Sequence, residues 1–390
     1  MTTAEYAVLV RNPRTLAVVG EIPPQDIASL RWTRLPYEAG PWALALPRAT
    51  ARAMNAAVGT DILARQHLVE IRRDGDVEYQ GVILDRSLDA QGLMWTVEGR
   101  DLKDWLHRRI VGVTTAEAQS GTAETVLKAY VEAHLGATAG TFGGVSRVAT
   151  DALAGGKTWS IEADVARGDA VEISAQRIPL ARVVADICRQ GNIWYDVVLT
   201  DAGYELRVYD PVNATTASGG TPFAVNLDNV EGLGYREAYG SVATGLLVAG
   251  GGTGDTRTTR EVVDAAAIAT DFLREGVAVE SALTTNDQLD AYGAAEIARQ
   301  LGAAVAADVV PLTGSANARY RQDWDLAWDV TVAIPAADVA AIERRIVAVN
   351  GSLTRDAGER ITFALGVERP KSTLRRLSRA LQRLQDAAAV

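Results

Sequence analysis

The stretch Val82-Ile-Leu-Asp-Arg-Ser-Leu-Asp-Ala-Gln-Gly92, continued by Leu93-Met-Trp-Thr-Val-Glu-Gly99, has a counterpart near the other end of the chain. The counterpart is Ile346-Val-Ala-Val-Asn-Gly-Ser-Leu-Thr-Arg-Asp-Ala-Gly358, followed by Ile361-Thr-Phe-Ala-Leu-Gly366. In both copies a strand runs into Ser-Leu, a polar turn closes on glycine and an alternating strand returns. The pattern predicts one β-hairpin that is used twice.

The returning strand of each copy alternates between apolar and polar positions, which is typical of a strand with one buried face. The apolar positions are Leu93, Trp95 and Val97 in the first copy, and Ile361, Phe363, Leu365 and Val367 in the second. A further candidate strand precedes each hairpin, at 67–73 and at 329–334. Two related small β-barrel domains are therefore predicted to bracket the chain.

Composition narrows the class of protein. With 390 residues, 48% hydrophobic and 23% charged, the chain is long enough for two to four folded domains. No apolar run reaches the roughly 20 residues of a membrane-spanning helix, and no secretion signal begins the chain. Cys188 is the only cysteine, which excludes an intrachain disulfide. The net charge of -10 disfavours wrapping of a nucleic acid duplex.

The predicted fold class is mainly β, with an inserted α+β domain and a C-terminal helix. We expect a first β-barrel domain at 1–112, the insert at 113–216, a second β-barrel domain with a helical insertion at 217–370, and an amphipathic helix at 371–390. In the insert, Thr122 and Pro179 are predicted to open helices. The composition of 215–222 indicates a linker.

Two glycine-rich segments are candidate phosphate-binding loops. Gly156-Lys157-Thr158 resembles the end of such a loop, but Asp151 stands where the motif requires glycine. The run 250–254 lacks the spacing of a dinucleotide fingerprint and predicts a flexible connection. Neither segment supports a nucleotide cofactor, and no cofactor is expected.

The histidines are too dispersed to predict a metal site, and the sharpest acidic cluster is open to two interpretations. His67, His107 and His134 share no metal-ligand spacing with one another or with Cys188. Asp323, Asp325 and Asp329 could bind calcium or act as acid and base, with the first two on one strand face. The alternative is a solvated strand edge protected by charge. Asp101 and Asp104 fit the start of a helix.

The last twenty residues have a seam of leucines on a basic segment. Five Lys or Arg against one Asp give the segment +4. The seam is too short for a free coiled coil and is predicted to pack on a partner. The candidate partner-interface residues are Leu374, Leu377, Leu381 and Leu384.

The order of these features resembles the hub proteins of long-tailed bacteriophages and the related hub module of contractile tails and type VI secretion spikes. The resemblance covers most of the chain. It rests on Trp42-Ala-Leu-Ala-Leu-Pro47, on Val97-Glu-Gly-Arg-Asp-Leu-Lys-Asp-Trp-Leu-His-Arg-Arg109, on Asn229-Val-Glu-Gly-Leu-Gly-Tyr-Arg-Glu237, on Leu246-Leu-Val-Ala-Gly250 and on Tyr320-Arg-Gln-Asp-Trp-Asp-Leu326, together with Glu70-Ile-Arg-Arg followed by Gly81-Val-Ile.

Membership would imply a structural, non-enzymatic hub at a phage tail tip, assembled in the host cytoplasm and carried in the virion. It implies a homotrimeric ring that ends the tail tube, in which two like modules per subunit make threefold symmetry fit a sixfold tube. The genome would pass the lumen without specific binding. A separate spike or fibre protein would complete the tip, because the chain stops soon after its second barrel.

Two other functions remain open from the sequence. A cell-wall or glycan hydrolase would draw its carboxylates from the Asp323 to Asp329 cluster, and an alanine change there would abolish peptidoglycan clearing while leaving assembly intact. A carbohydrate-binding module would use exposed Trp and Tyr side chains, and the isolated insert would then bind glycans.

Overall fold

A computed structural model describes the chain except for residues 1–3, 60, 238, 253–255, 281–282, 284, 313–314, 316–317, 335–338, 356–357 and 367–390. Strand makes up 44% of the structure and helix 23%, so the predicted mainly β fold class is confirmed. The predicted C-terminal helix and its four leucines lie outside the described residues.

The strands are β1 (Tyr6–Arg11), β2 (Val18–Ile22), β3 (Ser29–Arg34), β4 (Pro41–Pro47), β5 (Leu68–Arg73), β6 (Asp76–Leu88), β7 (Met94–Asp101), β8 (Ile110–Val111), β9 (Glu117–Thr122), β10 (Thr141–Phe142), β11 (Val145–Ser146), β12 (Thr158–Ile161), β13 (Ala170–Ala175), β14 (Ile178–Pro179), β15 (Trp194–Leu199), β16 (Gly203–Tyr209), β17 (Val212–Ala214), β18 (Val230–Glu237), β19 (Gly245–Ala249), β20 (Thr259–Val263), β21 (Glu275–Val279), β22 (Val305–Pro311), β23 (Trp328–Ile334), β24 (Val339–Thr354) and β25 (Gly358–Leu365). The α-helices are α1 (Arg48–Val58), α2 (Asp104–His107), α3 (Ala123–Leu135), α4 (Leu180–Gln190), α5 (Ala265–Asp271) and α6 (Asn286–Ala304).

The first β module consists of strands β1 to β7, which are neighbours in the order β3-β4-β7-β6-β5-β1-β2. Alternation sets its buried face, since Trp42, Leu44 and Leu46 on β4 are buried and their neighbours are not. The hairpin predicted from 82–99 is confirmed, with β6 and β7 antiparallel and Leu88 opposite Trp95.

The second β module, formed by β18 and β22 to β25, repeats this arrangement. Its strands follow the order β18-β22-β25-β24, and β23 pairs with β24. Taken in chain order, these five strands correspond to β3, β4, β5, β6 and β7. The corresponding strands of the first module lie side by side in the matching spatial order, β3-β4-β7-β6-β5. The strand added outside β23 is β17, which runs parallel to it, whereas β1 is antiparallel to β5. The two related modules lie in one 13-stranded sheet.

The α+β insert packs its two main helices against the first β module. Pro179 precedes α4 as predicted, and α4 buries Val183, Val184 and Ile187 along one stripe. These side chains share a core with α3 and with Leu68 and Val82 of the first module.

The segment 215–222, predicted to be a linker, is folded, so the prediction is wrong. Thr215 is buried, and the Thr216 N–H donates to Thr331 Oγ1 at 2.9 Å. Composition cannot reveal this because the acceptor lies on β23, more than a hundred residues away.

The described residues divide into two compact units, one within 1–233 and 309–363 and the other within 234–308 and 364–366. In the second unit, the sheet β20-β19-β21 is covered by α6. Gly293 permits this close packing, since a Cβ there would lie 2.7 Å from Val262. The four-part domain division made from the sequence stays a prediction. No helix among the described residues has the length and apolar character needed to cross a membrane.

Candidate functional site: the strand edges of the β modules

The two modules are joined edge to edge by β3 and β24. The strands are antiparallel, and Arg34 lies opposite Val349 at one end while Ser29 lies opposite Thr354 at the other. The Thr33 hydroxyl donates to Asn350 Oδ1 at 3.0 Å across the joint. The backbone of each strand therefore completes the edge of the other module.

A buried carboxylate on β6 reinforces this joint through side-chain contacts. Glu78 on β6 is only 3% exposed. It accepts hydrogen bonds from Trp32 Nε1 at 3.2 Å and from the Tyr320 hydroxyl at 2.8 Å, and Arg321 pairs with it at 3.2 Å. Burial raises the pKa of Tyr320, so its hydroxyl keeps the proton that it donates. Glu78 thus ties the first module to a segment of the second.

Two further ion pairs link the modules. Arg34 contacts Asp325 at 2.6 Å and also donates to the Tyr320 hydroxyl at 2.8 Å. Arg73 donates to Glu359 at 2.6 Å, and the Tyr6 hydroxyl donates to the same carboxylate. Charge-assisted bonds with little exposure hold geometry better than solvated pairs. These ion pairs therefore add side-chain contacts to the backbone pairing that joins the modules.

Two other strand edges remain open. Residues 76–82 of β6 pair with β5, but residues 85–88 are exposed and, of the strands that the structure describes, pair with β7 alone. β18 ends the sheet and pairs only with β22 among the described strands. An open edge presents unpaired N–H and C=O groups and is a template for another strand. These edges are the candidate functional surface of the chain.

The predicted acidic cluster does not form a common site. Asp323 lies in a turn and Asp325 in the irregular segment before β23, not on one strand face, so that placement is wrong. Each carboxylate contacts its own arginine, with distances of 3.0 Å from Asp323 to Arg319, 2.6 Å from Asp325 to Arg34 and 2.8 Å from Asp329 to Arg345. Among the described residues, no His, Cys, Asp and Glu group is placed to hold a metal.

The contacts and burial of the three histidines and of Cys188 indicate structural roles for these side chains. His134 Nε2 lies 2.9 Å from Glu117 Oε2, and burial lowers the pKa of His134 despite that carboxylate. Burial also lowers the pKa of His107. His67 Nδ1 lies 3.3 Å from the Ile62 carbonyl oxygen. Cys188 is fully buried, and burial raises the pKa of its thiol, which makes it a poor nucleophile.

The rejected phosphate-loop candidate forms a turn before β12. Lys157 Nζ donates to the Asp201 carbonyl oxygen at 2.6 Å, an interaction within the insert. Asp101, predicted to be a helix-start residue, is buried at the end of β7. Its carboxylate accepts from Gly40 N at 2.8 Å and lies 3.5 Å from Lys103 Nζ. Asp104 is placed as predicted, in the first turn of α2.

Reasoning from the sequence missed Glu78, Arg34 and the open edges. A glutamate flanked by Val77 and Tyr79 in an apolar strand was a usable signal, because buried charges need partners. The local sequence could not identify the partners of Glu78, since Tyr320 is 242 residues away.

Comparison with known proteins identifies the family. The family model of the siphovirus ReqiPepy6 Gp37-like protein matches residues 7–366. The chain belongs to this family. The family resemblance predicted from the sequence is therefore confirmed, and no curated protein sequence matches the chain.

Solved structures similar to this Gp37-like chain include three tail proteins. The 43 kDa tail protein of prophage MuSo2 from Shewanella oneidensis has a TM-score of 0.58 at 13% identity, covering 93% of this chain and 98% of that one. A tail protein from Neisseria meningitidis MC58 has a TM-score of 0.56 at 12% identity, covering 93% and 97%. Prophage tail protein gp18 from Listeria monocytogenes EGD-e has a TM-score of 0.54 at 10% identity, covering 97% and 99%. The chain has the fold of phage tail proteins.

Proposed function

We propose that the chain is a structural, non-enzymatic hub of a phage tail tip, in which three copies form a ring that ends the tail tube. One observation carries the proposal. Five strands in the same chain order occur twice, and β3 joins β24 so that the two sets lie side by side in one sheet.

This arrangement suits a change of symmetry. Three subunits that each present two like modules offer six similar surfaces in a ring. A sixfold tube can then be joined to a threefold tip with little distortion of either. The joint around Glu78 and Arg34 supports this role because its strand pairing and side-chain contacts set the register of the two modules within one chain.

The charge of the chain agrees with a passage for a genome. The net charge of -10 supplies no excess of cations to retain phosphate groups. DNA would pass the lumen without specific binding. The partners on this proposal are the tube or distal tail protein on one side and a spike or fibre protein on the other, all assembled in the host cytoplasm and carried in the virion.

The proposal is tested on assembled tails. A peptide tag on the chain, labelled with gold, should mark the distal end of the tube in electron micrographs. Quantification of the chain against the tube protein, with isotope-labelled peptides, should give three copies per tail. A label along the tube, or a copy number that is not three, contradicts the proposal.

We further propose that the leucine segment at 371–390 docks the distal tip protein. Its seam of leucines and net charge of +4 fit an apolar groove with an acidic rim. Deletion of 371–390 should leave the tube intact and remove the distal protein from purified tails. Full tip assembly without those residues contradicts this docking role.

A further inference from the structure

The second module shows what covers the strand edge that the first module leaves open. On β24, residues 339–345 pair with β23, and residues 349–354 pair with β3 along the same chain. On β6, residues 76–82 pair with β5, and no described strand continues along that edge at 85–88. The shared Ser-Leu sets the correspondence, with Ser87 and Leu88 matching Ser352 and Leu353. The first module thus lacks one strand on β6.

The strand that corresponds to β3 in the second module is β18. Both strands contain a leucine followed two positions later by an aromatic residue, Leu30 and Trp32 in β3 and Leu233 and Tyr235 in β18. Their neighbours also correspond, since β4 and β22 both end at a proline. The outer edge of β18 is unpaired among the described strands.

We propose that β18 of one copy pairs antiparallel with residues 84–88 of β6 in the next copy. The inference rests on the ring proposed above and specifies the contact that closes it. The register follows from the β3–β24 joint, in which Leu30 lies opposite Leu353 and Trp32 opposite Gly351. Transferred to the corresponding strands, it sets Leu233 opposite Leu88, Gly234 opposite Ser87 and Tyr235 opposite Arg86.

The transferred register brings together opposite charges. Thr33 lies opposite Asn350 within the chain, and the corresponding residues between copies are Arg236 and Asp85. Both side chains are exposed, and neither forms an ion pair within the described part of the chain. Opposite charges directly across a strand pair stabilise it. A shift of the register by one residue would lose this pair and turn Leu233 and Leu88 to opposite faces.

Open space lies beside residues 83–86 of β6. An open groove of about 430 Å³ is lined by Arg65, Ile83, Leu84, Asp85 and Arg86. Leu88, at the end of the edge, is 37% exposed, whereas its counterpart Leu353 packs against the core. Pairing with β18 would cover Leu88 in the way that β3 covers Leu353.

Charge reversal tests the pair in assembled tails. Asp85→Arg or Arg236→Asp alone should lower the yield of tails that contain the hub about tenfold, because like charges would then face each other. The double variant should restore the yield. Glu21→Arg makes the same change at an exposed residue of β2 and should have no effect. Failure of the double variant to recover the yield contradicts the pairing.

Disulfide trapping tests the register. Ser87→Cys with Gly234→Cys would place two thiols opposite each other between copies. Ser87→Cys with Gly232→Cys shifts the second thiol by two residues, beyond the roughly 7 Å Cα separation that a disulfide spans. Cys188 is buried and supplies no competing exposed thiol. On oxidation of tails, the first pair should yield a covalent species that stops at three chains, and the second should not.

The outcomes separate the two proposals. Three copies per tail with a disulfide at 232 but not at 234 would overturn the register while leaving the ring in place. Three copies with neither disulfide would overturn the β6–β18 contact. A copy number other than three would overturn the proposed function itself.

Discussion

Gly351 lies directly opposite Trp32 in the strand pair that joins the two modules. A Cβ at residue 351 would lie 2.1 Å from the indole ring, so only glycine leaves room for this side chain. Trp32 is almost wholly buried and cannot move outward without opening the core.

Gly351→Ala should therefore lower the free energy of unfolding by about 1–3 kcal/mol, the usual cost of overpacking. Urea unfolding followed by tryptophan fluorescence measures the change. Gly140→Ala is the matched control, because a Cβ there meets nothing within 4 Å. Equal stabilities of the two variants would show that the indole shifts at no cost.

Glu78→Gln should weaken the joint between the modules. The amide keeps an acceptor for Trp32 and Tyr320 but removes the charge that faces Arg321. Loss of a charged acceptor in a buried network should cost about 1–3 kcal/mol of unfolding free energy. The control is Glu21→Gln on the surface, and a result within experimental error of that control would contradict the role of Glu78.

Asp101 should make stability depend on pH. Burial raises its pKa from the usual 3.8 to about 6, although Lys103 opposes the shift. Because the folded state then binds the proton more tightly than the unfolded state, the contribution of Asp101 is complete below about pH 4 and is lost as the pH rises through about 6.

Asp101→Asn removes that dependence. The unfolding free energy of the parent chain minus that of the variant should fall, by on the order of 3 kcal/mol, as the pH rises across this window. Urea titrations at several pH values measure it, with Asp76→Asn as the exposed control. A difference that grows with pH would assign the titration to another group.

Cys188 should resist thiol reagents in the folded protein. Its side chain is fully buried and its thiol pKa is raised by burial, so both access and thiolate content are low. Cys188 in the native protein should react with an aromatic disulfide reagent at least about a hundredfold more slowly than Cys188 in the urea-unfolded protein. Ser87→Cys adds an exposed thiol that should react at once, and rapid labelling of Cys188 itself would contradict its packing.

The hairpins could be predicted because their determinants are local. Ser87-Leu88 and Ser352-Leu353 stand beside their own turns, and the apolar alternation of each returning strand needs no distant partner. The α4 boundary at Pro179 was readable for the same reason. The joint between β3 and β24 could not be predicted from the sequence, because the fit of Trp32 against Gly351 depends on strands far apart in the chain.

The candidate site was hidden for a related reason. Asp325 looked like half of a carboxylate pair, yet its charge is balanced by Arg34, 291 residues earlier. The open edge of β6 is visible only by contrast with β24, which requires the sheet order. Patterns along the chain predict which segments become strands, but not which strand lacks a neighbour.

The β3–β24 pairing also has a consequence for synthesis on the ribosome. Thr33 and Asn350 bond across 317 residues, and at roughly 5–20 residues per second β3 waits tens of seconds for its partner to be translated. During that interval a nascent chain carries an unsatisfied edge, so neighbouring polypeptides on one polysome could exchange strands. Wide spacing of ribosomes along the message should therefore favour correctly closed molecules over strand-exchanged ones.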